Sequence, residues 1–147
     1  VARRAVADHA VRRVRRLVRD YGLGNRVRLT GELADAKLTQ AYGRAGFFVL
    51  ASRHEGYGMA FAEALAQGLP IVGLRAGAVA HTVPRRAGML VMPGDPRALR
   101  RALRTLLTQP AARQRLAQGA RRAGARLPSW QECARGFAAA VVRFAST

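Results

Sequence analysis

Two glutamates eight positions apart, Glu55 and Glu63, enclose a glycine-containing segment with clear chemical potential. The chain has only eight carboxylates in all, so a pair at this spacing matters. Gly56 and Gly58 allow the backbone to approach a ligand closely, because glycine has no side chain. The apolar run that follows predicts a helix, and the free N–H groups at a helix start can face an anion. The segment is therefore typical of a site for an anionic ligand such as a nucleotide sugar.

The elements around this segment place it at one edge of a sheet. Residues 47–51 are continuously apolar, which predicts a parallel strand covered on both faces. Residues 52–57 form the loop that leaves this strand, and residues 59–67 form the next helix, ended by Gly68. Ligands of such sheets bind beyond the carboxyl ends of the strands. The fold and the motif thus indicate the same location.

Helical and strand patterns alternate through the rest of the chain. Apolar runs predict strands at residues 27–30, 71–74 and 89–92, and periodicity predicts helices at residues 2–19, 37–44, 111–123 and 129–144. Asp95 and Pro96 open a further helix as N-cap and first residue, and Ser129 with Glu132 forms a capping box. The alternation predicts an α/β fold with a Rossmann-like, doubly wound parallel sheet. We expect one domain over residues 1–147, with C-terminal helices at about 111–144.

Composition limits the class of protein. A chain of 147 residues, half of them apolar, can bury one core. No apolar stretch reaches the roughly 20 residues that a spanning helix needs, and no signal-peptide core follows the arginine-rich start. The single cysteine, Cys133, has no partner for a disulfide or metal site, and we expect it to pack on the last helix. These features predict a cytoplasmic protein, with a peripheral place at the inner face of the membrane as a further option.

The net charge of +18 raises a second class of function. Clustered cations bind phosphates through counterion release, so the arginine-rich first helix supports an alternative hypothesis: a noncatalytic basic module that binds nucleic acid or an anionic membrane surface. However, Lys37 is the only lysine, and arginine and alanine together are typical of GC-rich coding sequence. Aromatic residues are not interleaved with the arginines as stacking platforms would be. We therefore expect weak nonspecific binding to such surfaces and a different main function.

An ordered series of motifs carries a family resemblance. In chain order the motifs are residues 27–31 (Val-Arg-Leu-Thr-Gly), 48–52 (Phe-Val-Leu-Ala-Ser), 55–58 (Glu-Gly-Tyr-Gly) with the glutamate at 63, 64–72 (Ala-Leu-Ala-Gln-Gly-Leu-Pro-Ile-Val), 93–96 (Pro-Gly-Asp-Pro) and 129–130 (Ser-Trp). The chain resembles the C-terminal nucleotide-sugar-binding domain of family-4 retaining glycosyltransferases, which have the two-domain GT-B architecture. Such a series is far more specific than a lone Gly-x-Gly. An epimerase of similar architecture is disfavoured by the Glu-Gly-Tyr-Gly spacing.

The resemblance implies a role for each residue of the site. Glu63 would accept hydrogen bonds from the ribose hydroxyls of the donor, and Glu55, the catalytic-site residue, would hold hydroxyls of the donor sugar near the reacting carbon. The resemblance further implies contacts to the sugar and diphosphate from the backbone amides of Gly56, Tyr57, Gly58 and Met59, and contacts to the nucleobase from Arg28 and Gly31. The substrate would be a UDP- or GDP-sugar, with no cofactor and no metal required. His54 fits an exposed loop neighbour better than a catalytic base.

The chain also departs from the family pattern. Gly46 replaces a common aspartate, and Ala80-His81 replaces a common Pro-Glu, which we expect to loosen the loop or alter donor preference. The resemblance implies a domain incomplete at its N-terminus, because two earlier strands would carry the arginine and lysine that neutralise the diphosphate. The N-terminal acceptor domain, with its unidentified acceptor, would be a missing partner. We therefore expect weak nucleotide binding, no transfer activity by this chain alone, and self-association through an exposed sheet edge.

Overall fold

The computed structural model describes residues 2–53, 55–56 and 58–145. The chain divides into two compact units, Val1–Lys37 and Leu38–Thr147. The first contains α1 (Ala2–Asp20), and α2 (Asp35–Arg44) spans the division. The second contains β1 (Phe48–Leu50), α3 (Met59–Ala66), β2 (Ile71–Leu74), α4 (Val79–Thr82), β3 (Gly88–Val91), α5 (Pro96–Thr108), α6 (Pro110–Gly124) and α7 (Trp130–Ala145).

The three strands form one parallel sheet in the order β1-β2-β3. Phe48 pairs with Ile71, which pairs with Gly88 on the other side. Every residue of the central strand β2 is buried, as its apolar sequence requires. The predicted strand at 71–74 is confirmed without change, and the strand predicted at 89–92 lies one residue earlier, in β3. A helix connects each strand to the next, as parallel pairing demands.

Helices cover both faces of this sheet. Successive residues of a strand point to opposite faces, so Ile71 and Val72 belong to different parts of the core. Ile71 lies in a cluster with Phe61 and Leu65 of α3, whereas Val72 packs with Leu106 of α5. All five side chains are fully buried, and each such burial contributes about 1.5–3 kcal/mol. The predicted α/β, Rossmann-like sheet with helices on both faces is confirmed.

The strand before the site differs from its prediction. β1 covers only Phe48–Leu50, and among the described residues it pairs with β2 alone, which makes it an edge strand. Phe48 and Leu50 pack against the core on the α3 face. Val49 points to the other face and is 41% exposed. The prediction that this strand is covered on both faces was therefore wrong, because α5 packs mainly against β2 and β3 and Val49 stays partly open to solvent.

The first unit contains the predicted amphipathic helix but not the predicted strand. α1 covers Ala2–Asp20 and is followed by Gly22 at a φ of 60°. Residues 27–30 form no strand, so that prediction was wrong. The Val27 N–H donates to the Leu23 carbonyl at 2.9 Å, so the segment begins in a turn. A strand needs a paired neighbour, and the described part of this unit contains none.

The last helix, α7, is held by its cap and not by burial. The predicted capping box is confirmed: the Ser129 N–H donates to Glu132 Oε2 at 2.6 Å, and the Glu132 N–H donates to Ser129 Oγ at 3.2 Å. Side chains at residues 131–144 are exposed. Cys133 is among them, so the prediction that it packs on this helix was wrong. The helix contains enough apolar residues to suggest packing, but no described element covers them.

Candidate functional site

Two loops meet at the carboxyl edge of the sheet. One leaves β1 and contains Glu55, and the other leaves β2 and contains Gly77 and Ala78. The Ala78 N–H donates to the Glu55 carbonyl at 3.2 Å. A Cβ atom at Gly77 would lie 2.7 Å from that carbonyl oxygen, so this approach requires glycine. The backbone at Glu55 is therefore fixed against the second loop, at the edge where the sequence predicts the ligand.

Gly58 gives α3 a start without a side-chain cap. Its φ of 80° and ψ of 40° lie in the left-handed region, which disfavours residues with a Cβ atom. The Gly58 carbonyl accepts the N–H groups of Phe61 and Ala62, both at 3.0 Å, and so begins the helix. Among the described residues, no side chain caps the first turn. Because a helix start leaves N–H groups without an intrahelical partner, those of α3 remain available to an anion.

Glu63 lies one turn further along α3 and contacts a residue of another helix. Its Oε2 atom accepts a hydrogen bond from the hydroxyl of Tyr42, on α2, at 3.2 Å. The Tyr42 ring packs against Phe48, with centroids 6.0 Å apart. Partial burial, followed by the charge and the hydrogen bond of Glu63, raises the pKa of Tyr42 above its usual value. Tyr42 therefore stays protonated at neutral pH and serves as a donor to the carboxylate.

The other predicted site residues of this segment have varied surroundings. Glu55 is half-buried, Gly56 is exposed, and the side chain of Met59 is 45% exposed. Met59 is the first residue of α3, so its backbone amide belongs to the uncapped turn. His54 and Tyr57 lie outside the described residues.

The contact between Tyr42 and Glu63 is the feature that sequence reasoning missed. Tyr42 fits a helical stripe and is readily interpreted as a core residue, yet it ends in a hydroxyl that a half-buried position must satisfy. Its partner is 21 positions away. Periodicity indicates which face of α2 is apolar but not which residue of α3 faces it, so only the hydroxyl offered a signal.

A family model described as glycosyl transferases group 1 matches residues 5–123, which include the sheet, both site loops and α3. The chain belongs to this family. This group 1 domain is 36% identical over 96 residues to a sulfoquinovosyl transferase of Arabidopsis thaliana, a match that covers 63% of the chain and 19% of the relative.

Solved structures of glycosyltransferases share the fold of the group 1 domain. A sucrose-phosphate synthase from Thermosynechococcus elongatus matches with a TM-score of 0.81 and 32% identity, over 92% of this chain and 35% of that protein. The Anabaena protein HepE, in complex with UDP-glucose, matches with a TM-score of 0.68 and 25% identity. The match covers 78% of this chain and 31% of the HepE chain. The fold is that of the C-terminal half of the GT-B architecture, as predicted. The chain spans between a fifth and about a third of these proteins.

Arg28 and Gly31 of the group 1 domain belong to the first unit. Both residues are exposed. Gly31 has a φ of 65°, and its carbonyl accepts a hydrogen bond from the Thr30 hydroxyl at 3.2 Å. Their expected contact with a nucleobase stays a prediction.

Residues 2–53, 55–56 and 58–145 contain no group of three or more histidine, cysteine, aspartate or glutamate side chains arranged to hold a metal ion. None of the described helices is long and apolar enough to cross a membrane.

Proposed function

We propose that this chain is the donor-binding part of a family-4 retaining glycosyltransferase. In this proposal it binds a UDP- or GDP-sugar whose hexose-type sugar is transferred to an acceptor held by a separate N-terminal domain. The observation that carries the proposal is the uncapped start of α3 behind Gly58, at the carboxyl edge of the sheet, with a glutamate one turn further on. Group 1 family membership supports the same reaction class.

The diphosphate is the part of the donor that the start of α3 suits. Free N–H groups and the positive end of the helix dipole both favour negative charge. In the proposal, the amides of Gly56, Tyr57, Gly58 and Met59 contact the sugar and the diphosphate. Charge grows on the leaving phosphate as the glycosidic bond breaks, and prearranged donors stabilise that charge without a metal. The left-handed Gly58 makes this possible because it begins the helix without contributing a competing side chain.

Glu63 is proposed to bind the ribose of the donor. An ionised carboxylate accepts hydrogen bonds at both oxygens, which matches two neighbouring hydroxyls. Glu63 is exposed, so a ligand can reach it.

Glu55 is proposed to act on the donor sugar. Its backbone is fixed by the Ala78 N–H, and a half-buried carboxylate at that place can hold sugar hydroxyls near the reacting carbon. Arg28 and Gly31 are proposed to lie against the nucleobase. The solved complex of HepE with UDP-glucose supports a nucleotide-sugar donor for a domain of this fold.

We expect the 147-residue chain by itself to bind a nucleoside diphosphate weakly and to transfer no sugar. GT-B enzymes react in the cleft between two domains, so one half lacks the water-excluding surface and the acceptor site. Sugar transfer by this polypeptide alone would contradict that part of the proposal. The proposal includes a cytoplasmic location, because the nucleotide-sugar donor would have to be present in the same compartment as the site.

Isothermal titration calorimetry with UDP, GDP and ADP tests the proposal. We expect saturable binding that favours one base, persists at moderate salt and falls in Glu63→Ala. Glu132→Ala is the matched control, since it also removes one exposed carboxylate but lies on α7. Binding that ignores Glu63→Ala and disappears with added salt would instead support the basic module that binds nucleic acid or anionic membrane.

A further inference from the structure

Glu63 is held by a contact that none of the site motifs contains. The Tyr42 hydroxyl donates to Glu63 Oε2 at 3.2 Å and so joins α2 to α3 beside the uncapped helix start. An exposed glutamate has three side-chain torsions and samples many rotamers. A donor at one carboxylate oxygen favours those rotamers in which that oxygen faces α2.

The Tyr42 hydroxyl is itself held in place by the core. Its ring lies 6.0 Å from that of Phe48, at an interplanar angle of 50°. Phe48 in turn meets Phe61 edge to face, at 5.8 Å and 85°. Phe61 is fully buried and lies on α3, two residues before Glu63. The aromatic row therefore runs from α2 through β1 to α3, so the ring that carries the hydroxyl packs on the same cluster as the helix that carries Glu63.

We propose that Tyr42 is a positioning residue that orients the Glu63 carboxylate for the ribose hydroxyls of the donor, an inference that rests on the function proposed above. Tyr42 does not touch the reacting atoms. It occupies Oε2 from the α2 side and turns the remaining acceptor positions of the carboxylate toward the ligand. A carboxylate that is already oriented loses less conformational freedom when the ribose binds.

The acid–base state of Tyr42 agrees with this role. Burial and the neighbouring Glu63 raise the pKa of Tyr42, so the hydroxyl keeps its proton and remains a donor through the neutral range. Phenylalanine would preserve the ring and its packing on Phe48 while removing only the donor. Tyr42→Phe is therefore a clean test of the hydroxyl.

The experiment compares UDP and GDP with their 2′,3′-dideoxy forms in calorimetric titrations. Three proteins are compared: the unaltered chain, Tyr42→Phe and the control Tyr21→Phe. Tyr21 is 72% exposed in the first unit, so its variant also loses one phenol hydroxyl but leaves α2 and α3 unchanged. We expect Tyr42→Phe to bind the ribose form about three- to tenfold more weakly, which is the effect of one ordinary hydrogen bond. Its affinity for the dideoxy form should equal that of the unaltered chain. Tyr21→Phe should match the unaltered chain with both ligands.

The outcomes separate this inference from the proposed function. Suppose that the unaltered chain prefers the ribose form and that Glu63→Ala removes this preference. If Tyr42→Phe does not reduce the preference, the proposed function stands and the positioning role is overturned. An equal loss for both ligand forms in Tyr42→Phe would indicate general loss of packing and would also overturn it. If the unaltered chain shows no ribose preference, the assignment of Glu63 fails and the role of Tyr42 fails with it.

Discussion

The helices α3 and α5 both follow a strand of the sheet, but their first turns are satisfied in different ways. At α5, Asp95 Oδ1 accepts the N–H of Ala98 at 2.8 Å, and Pro96 at the first position has no N–H to satisfy. At α3, the corresponding residue is Gly58, and none of the described side chains caps the turn. At α5 a side chain accepts one N–H of the first turn, whereas among the described residues no side chain does so at α3.

Under the proposed function, the difference separates a ligand-binding helix start from a structural one. A capped turn does not depend on a ligand, because a side chain of the protein accepts one of its N–H groups. An uncapped turn is less stable alone and gains from an anion that binds there. Burial compensates at α3: Phe61, Ala64 and Leu65 are fully buried. The domain thus holds α3 through its core and needs no side-chain cap from Gly58.

The largest expected effect comes from making α3 resemble α5. Gly58→Asp would place a carboxylate where the diphosphate is proposed to lie, both capping the turn and repelling the ligand. We expect binding of UDP or GDP to fall at least about a hundredfold, and the left-handed backbone to cost about 1–2 kcal/mol of stability. Calorimetry and thermal unfolding measure the two effects.

Gly94→Asp provides the matched control for Gly58→Asp. Gly94 also has a left-handed φ, 86°, and a Cβ atom there would meet nothing within 4 Å. The control should show the cost of the left-handed backbone and unchanged binding, without the contacts that a Cβ atom at Gly58 would make with Phe61 and Thr82 at 3.4 Å. Equal affinity in the two variants would remove the functional distinction between α3 and α5.

Glu63→Ala should have the next largest effect. The ribose loses its carboxylate acceptor, and a hydrogen bond to a charged group contributes about 1.5–3 kcal/mol net of its exchange with water. We expect the affinity for the nucleoside diphosphate to fall about ten- to a hundredfold with little change in unfolding temperature, since Glu63 is exposed. Calorimetry should show unchanged binding in Glu132→Ala. A large loss of stability in Glu63→Ala would point to a structural role instead.

Asp95→Ala should affect stability and not binding. The variant leaves the first turn of α5 without its acceptor, which costs about 1 kcal/mol. Chemical denaturation measures the change, and titration with UDP and GDP should give the affinities of the unaltered chain. A loss of binding would show that the start of α5 also belongs to the site.

The smallest effect is a pH dependence at the start of α7. Hydrogen bonds from Ser129, the backbone N–H first, lower the pKa of Glu132 below its ordinary value of 4.5. A lowered pKa means that the cap contributes fully above pH 4.5 and is lost as the pH falls through the lower folded value. Amide NMR of Ser129 should show the cap opening only in that acid range, and Glu132→Gln should remove the transition. Opening near neutral pH would contradict it.

Much of the fold was predictable because local chemistry determined it. Asp95 with Pro96 and the Ser129–Glu132 pair act within four residues, so the sequence displays both the signal and its partner. The predicted strand at residues 27–30 failed for the opposite reason, because a strand depends on a partner that apolar character cannot guarantee. The predicted burial of Val49 and Cys133 failed likewise, since burial depends on which neighbouring element packs over a residue.

The sequence predicts where the backbone of the candidate site lies better than it predicts the contacts between its segments. The glycines at 56 and 58 and the apolar run after them indicate a helix start that can approach a ligand, and the structure places Gly58 at that start. The contact of Gly77 with the Glu55 carbonyl and the bond from Tyr42 to Glu63 join segments about 20 residues apart. Such contacts depend on how the loops and helices are packed on the sheet.

The most direct test of the account is an amide NMR titration of the chain with UDP and with GDP at moderate salt. It compares the amides of Met59 and Ala60, at the uncapped start of α3, with that of Ala98, at the capped start of α5. We predict saturable shifts at Met59 and Ala60 with at least one nucleotide, and none at Ala98. Unchanged amides at Met59 and Ala60 in a folded chain that binds the nucleotide, or equal shifts at Ala98, would contradict the claim that α3 presents the diphosphate site.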